Sequence, residues 1–360
     1  MTARARSWFT RRTSAARDWP VAELIAARER SGSRISVIIP ARDEQATIGP
    51  VVSALRTALV DGAPLVDELV VIDSDSVDAT ADAARAAGAR VITSAAIRPD
   101  LGSYPGKGEA IWKSQFVTSG DLLVFVDADL THFGPHFVTG LLGPLLADPQ
   151  VLLVKGFYDR ILDLGDDPTP DGGRVTELVA RPLLNLWWPD LARVVQPLAG
   201  EWAVRRRVLE SVWIPTGYGV ELATLLDTCS IAGLDAVAQV DLGSRAHRHQ
   251  AVHDLGVMAA ELLVVADRRR TAASTEEGSP GAATAVLREP DEPTLSQFRR
   301  TGPGGVGQWH VRPVPIAERP PAAGVAAPGQ TGAHGGANGA AHGAAHGAAH
   351  GAVHIEERAC

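Results

Sequence analysis

Two carboxylates one residue apart, Asp127 and Asp129, close the run Leu122-Leu123-Val124-Phe125-Val126-Asp127-Ala128-Asp129. Branched and aromatic apolar residues in unbroken succession predict a strand buried on both faces, with the carboxylates at its open end. Ionised carboxylates at the edge of a core need a cation, so an Asp-x-Asp there suits a divalent metal and, with the metal, a phosphate. The same pair also suits a plain turn with a helix N-cap, and spacing alone does not separate the two.

Other stretches carry related chemistry. Glycines on both sides of Lys107, in Gly106-Lys107-Gly108, let backbone amides approach a phosphate that the ammonium neutralises, although a solvated loop lysine has the same signature. It is not a P-loop, because Gly-x-x-x-x-Gly-Lys-[Ser/Thr] is absent. The first apolar run meets Pro40-Ala41-Arg42-Asp43-Glu44 rather than Gly-x-Gly-x-x-Gly, which argues against a nicotinamide dinucleotide site. Gly172-Gly173-Arg174-Val175-Thr176 before a helical segment offers an anion free amides, a positive dipole end and a guanidinium; its plain alternative is a loop capped by Thr176. His247, between Arg245 and Arg248, fits a metal shell or a surface basic cluster, and Glu221 after Gly217-Tyr218-Gly219 fits a helix N-terminus.

These side chains need a scaffold, and the pattern supplies one. Strands are expected at 35–40, 68–73, 90–94 and 122–126, separated by helices in which residues such as Ile48, Val51, Val52, Leu55 and Leu59 share a face. Strands alternating with helices predict an α/β fold with a parallel sheet, whose ligands lie at the C-terminal strand ends. Glu44, Asp73, Asp75, Lys107, Asp127 and Asp129 all fall there. Further on, a strand is expected at 151–157, an acidic loop at 163–173, a helix at 176–188 broken near Pro182, a helix at 219–229, a strand at 236–242 and a helix at 252–269.

The chain has 360 residues, enough for one large domain or two modest ones, and a net charge of −8 that argues against a general nucleic-acid binder. No span approaches the roughly 20 apolar residues of a membrane helix. The basic residues near the start are followed by no apolar signal region, and the two cysteines, Cys229 and Cys360, suit a reducing compartment; a cytoplasmic protein is expected. His342, His346 and His350 recur in a Gly/Ala repeat that lacks the large side chains needed for a core, so disorder is expected from 321 to 360.

The order Val37-Ile38-Ile39-Pro40-Ala41-x-Asp43-Glu44, Asp73-Ser74-x-Ser76, Pro105-Gly106-Lys107-Gly108, Asp127-Ala128-Asp129, Gly173-Arg174-Val175-Thr176-Glu177-Leu178, Gly217-Tyr218-Gly219-Val220-Glu221 and Arg245-Ala246-His247-Arg248 resembles the actinobacterial glucosyl-3-phosphoglycerate synthases, over roughly residues 8 to 321. The early motifs are shared by many GT-A glycosyltransferases; Gly173 to Leu178 and Arg245 to Arg248 are the discriminating ones.

The resemblance implies a GT-A fold, a Rossmann-like, mostly parallel sheet with helices on both faces. It also implies a retaining transfer of glucose from UDP-glucose to the 2-hydroxyl of 3-phosphoglycerate by a homodimer. It assigns Pro40, Ala41, Glu44, Ser74, Lys107 and Arg245 to the donor, with Asp127, Tyr218 and Glu221 as the catalytic set that also places the sugar. Asp129 and His247 would ligate Mg²⁺ or Mn²⁺. Gly173, Arg174, Val175, Thr176 and His249 would hold the acceptor. The implied organisation is an arm at 1–33, a catalytic domain at 34–270 (nucleotide-sugar half 34–130, acceptor half 131–270), a linker and packing segment at 271–320, and the tail.

Two departures bear on the donor. Asp75 stands where Asp-Ser-Gly-Ser-Thr-Asp is usual, and Arg42 adds a positive charge nearby. Alternatives are a mannosyl-3-phosphoglycerate synthase using GDP-mannose, a sugar-1-phosphate nucleotidyltransferase, whose glycine-rich basic turn should directly follow the first strand, and a non-catalytic sugar-nucleotide-binding protein.

Overall fold

Apolar runs become the centre of an eight-stranded sheet because their side chains alternate between two helical layers and neither face meets water. The computed structural model describes residues 3–161, 173–246, 252–275, 293–300 and 307–326. The expected acidic loop up to residue 172, His247, His249, the linker from 276 to 292 and the tail from 327 lie outside these residues. The chain divides into two units, Met1–Val325 and Ala326–Cys360, and every described element belongs to the first.

In chain order, α1 (Ala3–Arg12), β1 (Thr13–Ala15) and α2 (Val21–Ser31) precede β2 (Ile35–Ala41). The regular alternation continues through α3 (Ile48–Leu55), β3 (Glu68–Asp73), α4 (Thr80–Ala86), β4 (Arg90–Thr93), α5 (Lys107–Ser114) and β5 (Leu122–Phe125). Next come α6 (His136–Ala147), β6 (Leu153–Ile161), α7 (Arg181–Trp187), β7 (Trp202–Arg205), α8 (Arg206–Leu209), β8 (Ile214–Pro215), α9 (Val220–Ala232) and β9 (Val237–Ala246). α10 (Val252–Thr275), β10 (Thr294–Arg300), β11 (Gly307–Pro313) and β12 (Glu318–Arg319) end it.

The sheet order is β1-β9-β6-β7-β5-β2-β3-β4. All neighbours are parallel except at β7, which runs antiparallel to both β5 and β6. One face packs Ile39, Val71 and Val124 against Val51, Phe137 and Leu141, and the other packs Ile38, Val70 and Phe125 against Trp112, Trp202 and Leu222. Ile48, Val51, Val52, Leu55 and Leu59 are all buried, as their spacing requires.

Three elements differ from expectation. β7 has four residues, too few to show a period, yet it fills the gap between the sheet's halves, with Trp202 opposite Phe125 and their rings 4.4 Å apart. The arm at 1–33 is built into the sheet rather than lying outside it. β1 extends the sheet beside β9, and Trp8 is fully buried, donating Nε1–H to the Val237 carbonyl at 2.8 Å. The break anticipated near Pro182 is a change of helix type, from a π-turn over Thr176–Ala180 to α7; proline offers no N–H, so the ladder shifts register there. Among the described residues no helix is long and apolar enough to cross a membrane.

Candidate active site

A cleft of about 410 Å³ opens where β2, β3 and β5 end, the place that parallel sheets leave free of crossover helices. β2 delivers Pro40, Ala41 and, past its end, Glu44; β3 delivers Ser74; β5 delivers Asp127 and Asp129. The start of α5 brings Lys107, the start of α9 brings Tyr218 and Glu221, and the turn before α7 brings Gly173, Arg174, Val175 and Thr176. Thirteen residues singled out from the sequence thus line one cavity. Arg245 is the penultimate residue of β9, in register with Arg160 of β6, while His247 and His249 lie outside the described residues.

The strongest electrostatic feature is Lys107. Its ammonium lies 2.6 Å from Asp127 Oδ1 and 2.7 Å from Glu221 Oε1. Burial favours the neutral amine, but the two carboxylates outweigh it and raise the pKa above the usual lysine value, so the charge is permanent.

The glycines around Lys107 serve a different end from the phosphate approach their spacing suggested. A Cβ on Gly108 would lie 1.8 Å from the Pro215 carbonyl oxygen, and one on Gly106, whose φ is +125°, would lie 2.4 Å from the Thr216 carbonyl oxygen. Gly108 N–H donates to Gly217 O at 3.2 Å and Glu109 N–H to Thr216 O at 3.0 Å. These amides are occupied within the protein. Their function is to press α5 onto the loop before α9, which brings Lys107 to Glu221.

Several contributors were not legible as site residues. Leu198 and Gly200 line the cleft, and a Cβ on Gly200 would lie 2.1 Å from Asp127 Oδ2, so only glycine lets that loop cover the carboxylate. Lys155, fully buried on β6, donates to the Ala199 carbonyl at 2.8 Å and so holds the loop from beneath. Burial, reinforced by the charge of Lys107 and opposed by Glu221, Glu201 and Asp127, lowers its pKa to about 7. Leu255, Met258 and Leu262 form a wall from α10; their 3- and 4-residue spacing was visible but reads equally as core. On the same helix Glu261 accepts the Tyr218 N–H at 2.7 Å, and burial, with the like charge of Glu221, raises its pKa to about 7.

Near β2 and β3, Asp43 and Asp75 have φ of 56° and 59°. Asp43 accepts the Val77 N–H at 2.8 Å and donates its own N–H to Ser76 Oγ at 3.0 Å, tying the two strand ends into one rim. Asp75, exposed, occupies the left-handed region that the usual glycine would adopt without strain.

For a metal, the donor described is Asp129, a carboxylate lining the cleft next to Asp127. No group of three or more metal-binding side chains converges among the described residues. One hard oxygen donor facing an open cleft fits a small divalent cation that takes further ligands from a bound diphosphate.

Residues 36–212 match glycosyl transferase family 2. The chain is 44% identical over 320 residues to a glucosyl-3-phosphoglycerate synthase of Mycolicibacterium paratuberculosis, covering 88% of this chain and 91% of that one. It is 47% identical over 257 residues to the synthase of Mycolicibacterium smegmatis, covering 71% and 83%. Among solved structures it is similar to the Mycobacterium tuberculosis synthase in complex with Mn²⁺, UDP-glucose and phosphoglyceric acid, at a TM-score of 0.70, 42% identity and coverage of 84% and 94%. The same enzyme with Mg²⁺ and UDP gives a TM-score of 0.72 at 42% identity, covering 86% and 97%.

Proposed function

The chain belongs to the glucosyl-3-phosphoglycerate synthases of glycosyl transferase family 2, and from that membership we propose that it moves glucose from UDP-glucose to the 2-hydroxyl of 3-phosphoglycerate with retention of configuration. The observation that carries this reading is one cleft that holds both the strand-end residues suited to a nucleotide sugar and the Gly173–Thr176 turn suited to a doubly anionic acceptor.

In this reading Pro40, Ala41, Glu44 and Ser74 hold the uridine, and Lys107 faces the donor with its charge fixed. Asp129, with His247, would hold Mg²⁺ or Mn²⁺, which when bound supplies positive charge to the departing diphosphate. Arg174 and the turn amides seat the acceptor's phosphate and carboxylate. Asp127, Tyr218 and Glu221 fix the glucose, and Glu221 does so as a carboxylate already paired with Lys107, which makes it a poor nucleophile. The acceptor oxygen therefore attacks C1 on the face that UDP leaves. The C1–O bond to the β-phosphate breaks, and the hydroxyl proton passes to the departing phosphate oxygen, giving UDP and the glucoside. A homodimer in the cytoplasm belongs to the same reading, and sedimentation measures the first part directly.

The test is UDP release with UDP-glucose and 3-phosphoglycerate together, in Mg²⁺ or Mn²⁺. Release is expected only when both substrates are present, and Asp129→Ala and Arg174→Ala should each lose at least about 100-fold in kcat/KM. Unchanged turnover in Arg174→Ala would remove the acceptor assignment, and a preference for GDP-mannose would remove the donor.

A further inference from the structure

Every described residue that lines the cleft precedes residue 263, yet the wall behind Lys107 is completed by a segment more than fifty residues later. β12 pairs antiparallel with β8, Glu318 opposite Pro215 and Arg319 opposite Ile214. Thr216 N–H donates to the Ala317 carbonyl at 2.9 Å, and Thr216 O in turn accepts the Glu109 N–H at 3.0 Å. Three layers are thus laced together: the C-terminal strand, the loop leading to Tyr218 and Glu221, and the first turn of α5.

Arg319 locks the stack. Its guanidinium meets Glu109 through two bonds, Nε to Oε2 at 2.7 Å and Nη2 to Oε1 at 2.6 Å. It also donates to the carbonyls of Leu101 and Gly102, at 2.9 and 3.2 Å, and lies 4.6 Å from the Tyr104 ring and 4.7 Å from the Trp112 ring. Glu109 is fully buried, with Lys113 Nζ 3.7 Å away, and Arg319 is 7% exposed. Trp112 Nε1–H donates to the Pro320 carbonyl at 2.8 Å, a second tie between the same two elements.

Neither Arg319 nor Glu109 lines the cleft. Glu109 stands two residues after Lys107 on the first turn of α5, and that turn is too short to absorb a shift, so moving Glu109 moves the ammonium. We infer that Arg319 is a positioning residue, which through Glu109 fixes where Lys107, and with it Glu221 and Asp127, stands against the donor. Arg319 and Glu109 make none of their bonds to the acceptor turn at Gly173–Thr176. The effect is therefore selective for the nucleotide sugar, and in this respect the inference rests on the functional reading above.

Arg319→Lys keeps the charge but loses the two-pronged contact and the stacking plane, and Glu109→Gln keeps the shape but loses one prong. The full chain and both variants are titrated by calorimetry with UDP-glucose in Mn²⁺ and, separately, with 3-phosphoglycerate, with circular dichroism melts as a check on folding. The expected result in both variants is a UDP-glucose Kd raised about tenfold, the scale of a sub-ångström misplacement, and a phosphoglycerate Kd within about twofold of wild type. A UDP-glucose Kd that does not move in folded variants overturns the inference. So does equal weakening of both ligands, or loss of folding in both variants, since Arg319 would then only hold the fold. A wild-type chain that binds UDP-glucose but transfers nothing to phosphoglycerate would sink the proposed activity alone, because the donor titration still reads Arg319.

Discussion

Lys107 holds its ammonium 2.6 Å from the Asp127 carboxylate, so the residue expected to face the donor's phosphates is first a clamp on the residue expected to place its sugar. Glu221 completes the clamp from the opposite wall at 2.7 Å. One charge therefore holds a carboxylate from each side of the cleft.

Lys107→Met should remove the cation shared by the buried Glu221 and the partly exposed Asp127. Stability at neutral pH should fall by about 3 kcal/mol and kcat/KM by at least about 100-fold. Urea melts read the first change and steady-state kinetics with UDP-glucose and 3-phosphoglycerate the second.

Gly200→Ala tests the cover over Asp127. A methyl placed 2.1 Å from Oδ2 must displace either the carboxylate or the loop. Steady-state kinetics should show kcat/KM down by at least about tenfold, against a stability loss of about 1–3 kcal/mol. Wild-type kinetics would mean the loop moves freely and Asp127 does not depend on it.

The pKa of Lys155, lowered to about 7, makes a pH prediction with a definite sign. The unfolded chain keeps this lysine protonated up to its ordinary value of 10.5, whereas the folded chain releases the proton from about 7 upward. Between those values the unfolded state binds more protons, so the group's destabilising effect is full below about pH 7 and is relieved as pH rises, by up to about 1.4 kcal/mol per unit. The stability difference between wild type and Lys155→Met should show that slope from pH 7.5 to 9.5, and a flat difference would place the amine elsewhere.

Asp75→Gly replaces a left-handed aspartate with the residue that conformation favours. Thermal melts should show a gain of about 0.5–1 kcal/mol, the left-handed penalty less glycine's larger unfolded entropy. UDP-glucose affinity should rise about twofold at low salt and return to wild type at high salt, because an exposed carboxylate repels the diphosphate only through unscreened solvent.

The alternation of branched apolar runs with amphipathic helices made the left part of the sheet readable almost residue by residue, 68–73 coinciding with β3 and Lys107 opening α5. Strand ends then gathered Glu44, Asp127, Asp129 and Lys107 without knowledge of any contact. β7 escaped because four residues show no period, and β1 because its pairing partner is remote in sequence. The roles of Gly200, Lys155 and Glu261 escaped for another reason. A small residue under a loop, or an ionisable one inside a helix or strand, gains meaning only from what the fold sets against it. The discriminating motif Arg245 to Arg248 passes beyond the described residues after Ala246.

The reversed strand in the middle of the sheet governs how the molecule is made. β5 gains its second neighbour only once residues 202–205 have left the ribosome, and β1 waits for β9, with Thr13 and Gln239 226 positions apart. The strands β2 to β5 are therefore synthesised with one edge bare, a template for unwanted pairing until β7 arrives. Contacts of such long range slow folding, and the first strand made is the last whose partner appears. The N-terminus is the closing latch of the sheet, fastened only on a chain whose β9 has already been laid in register.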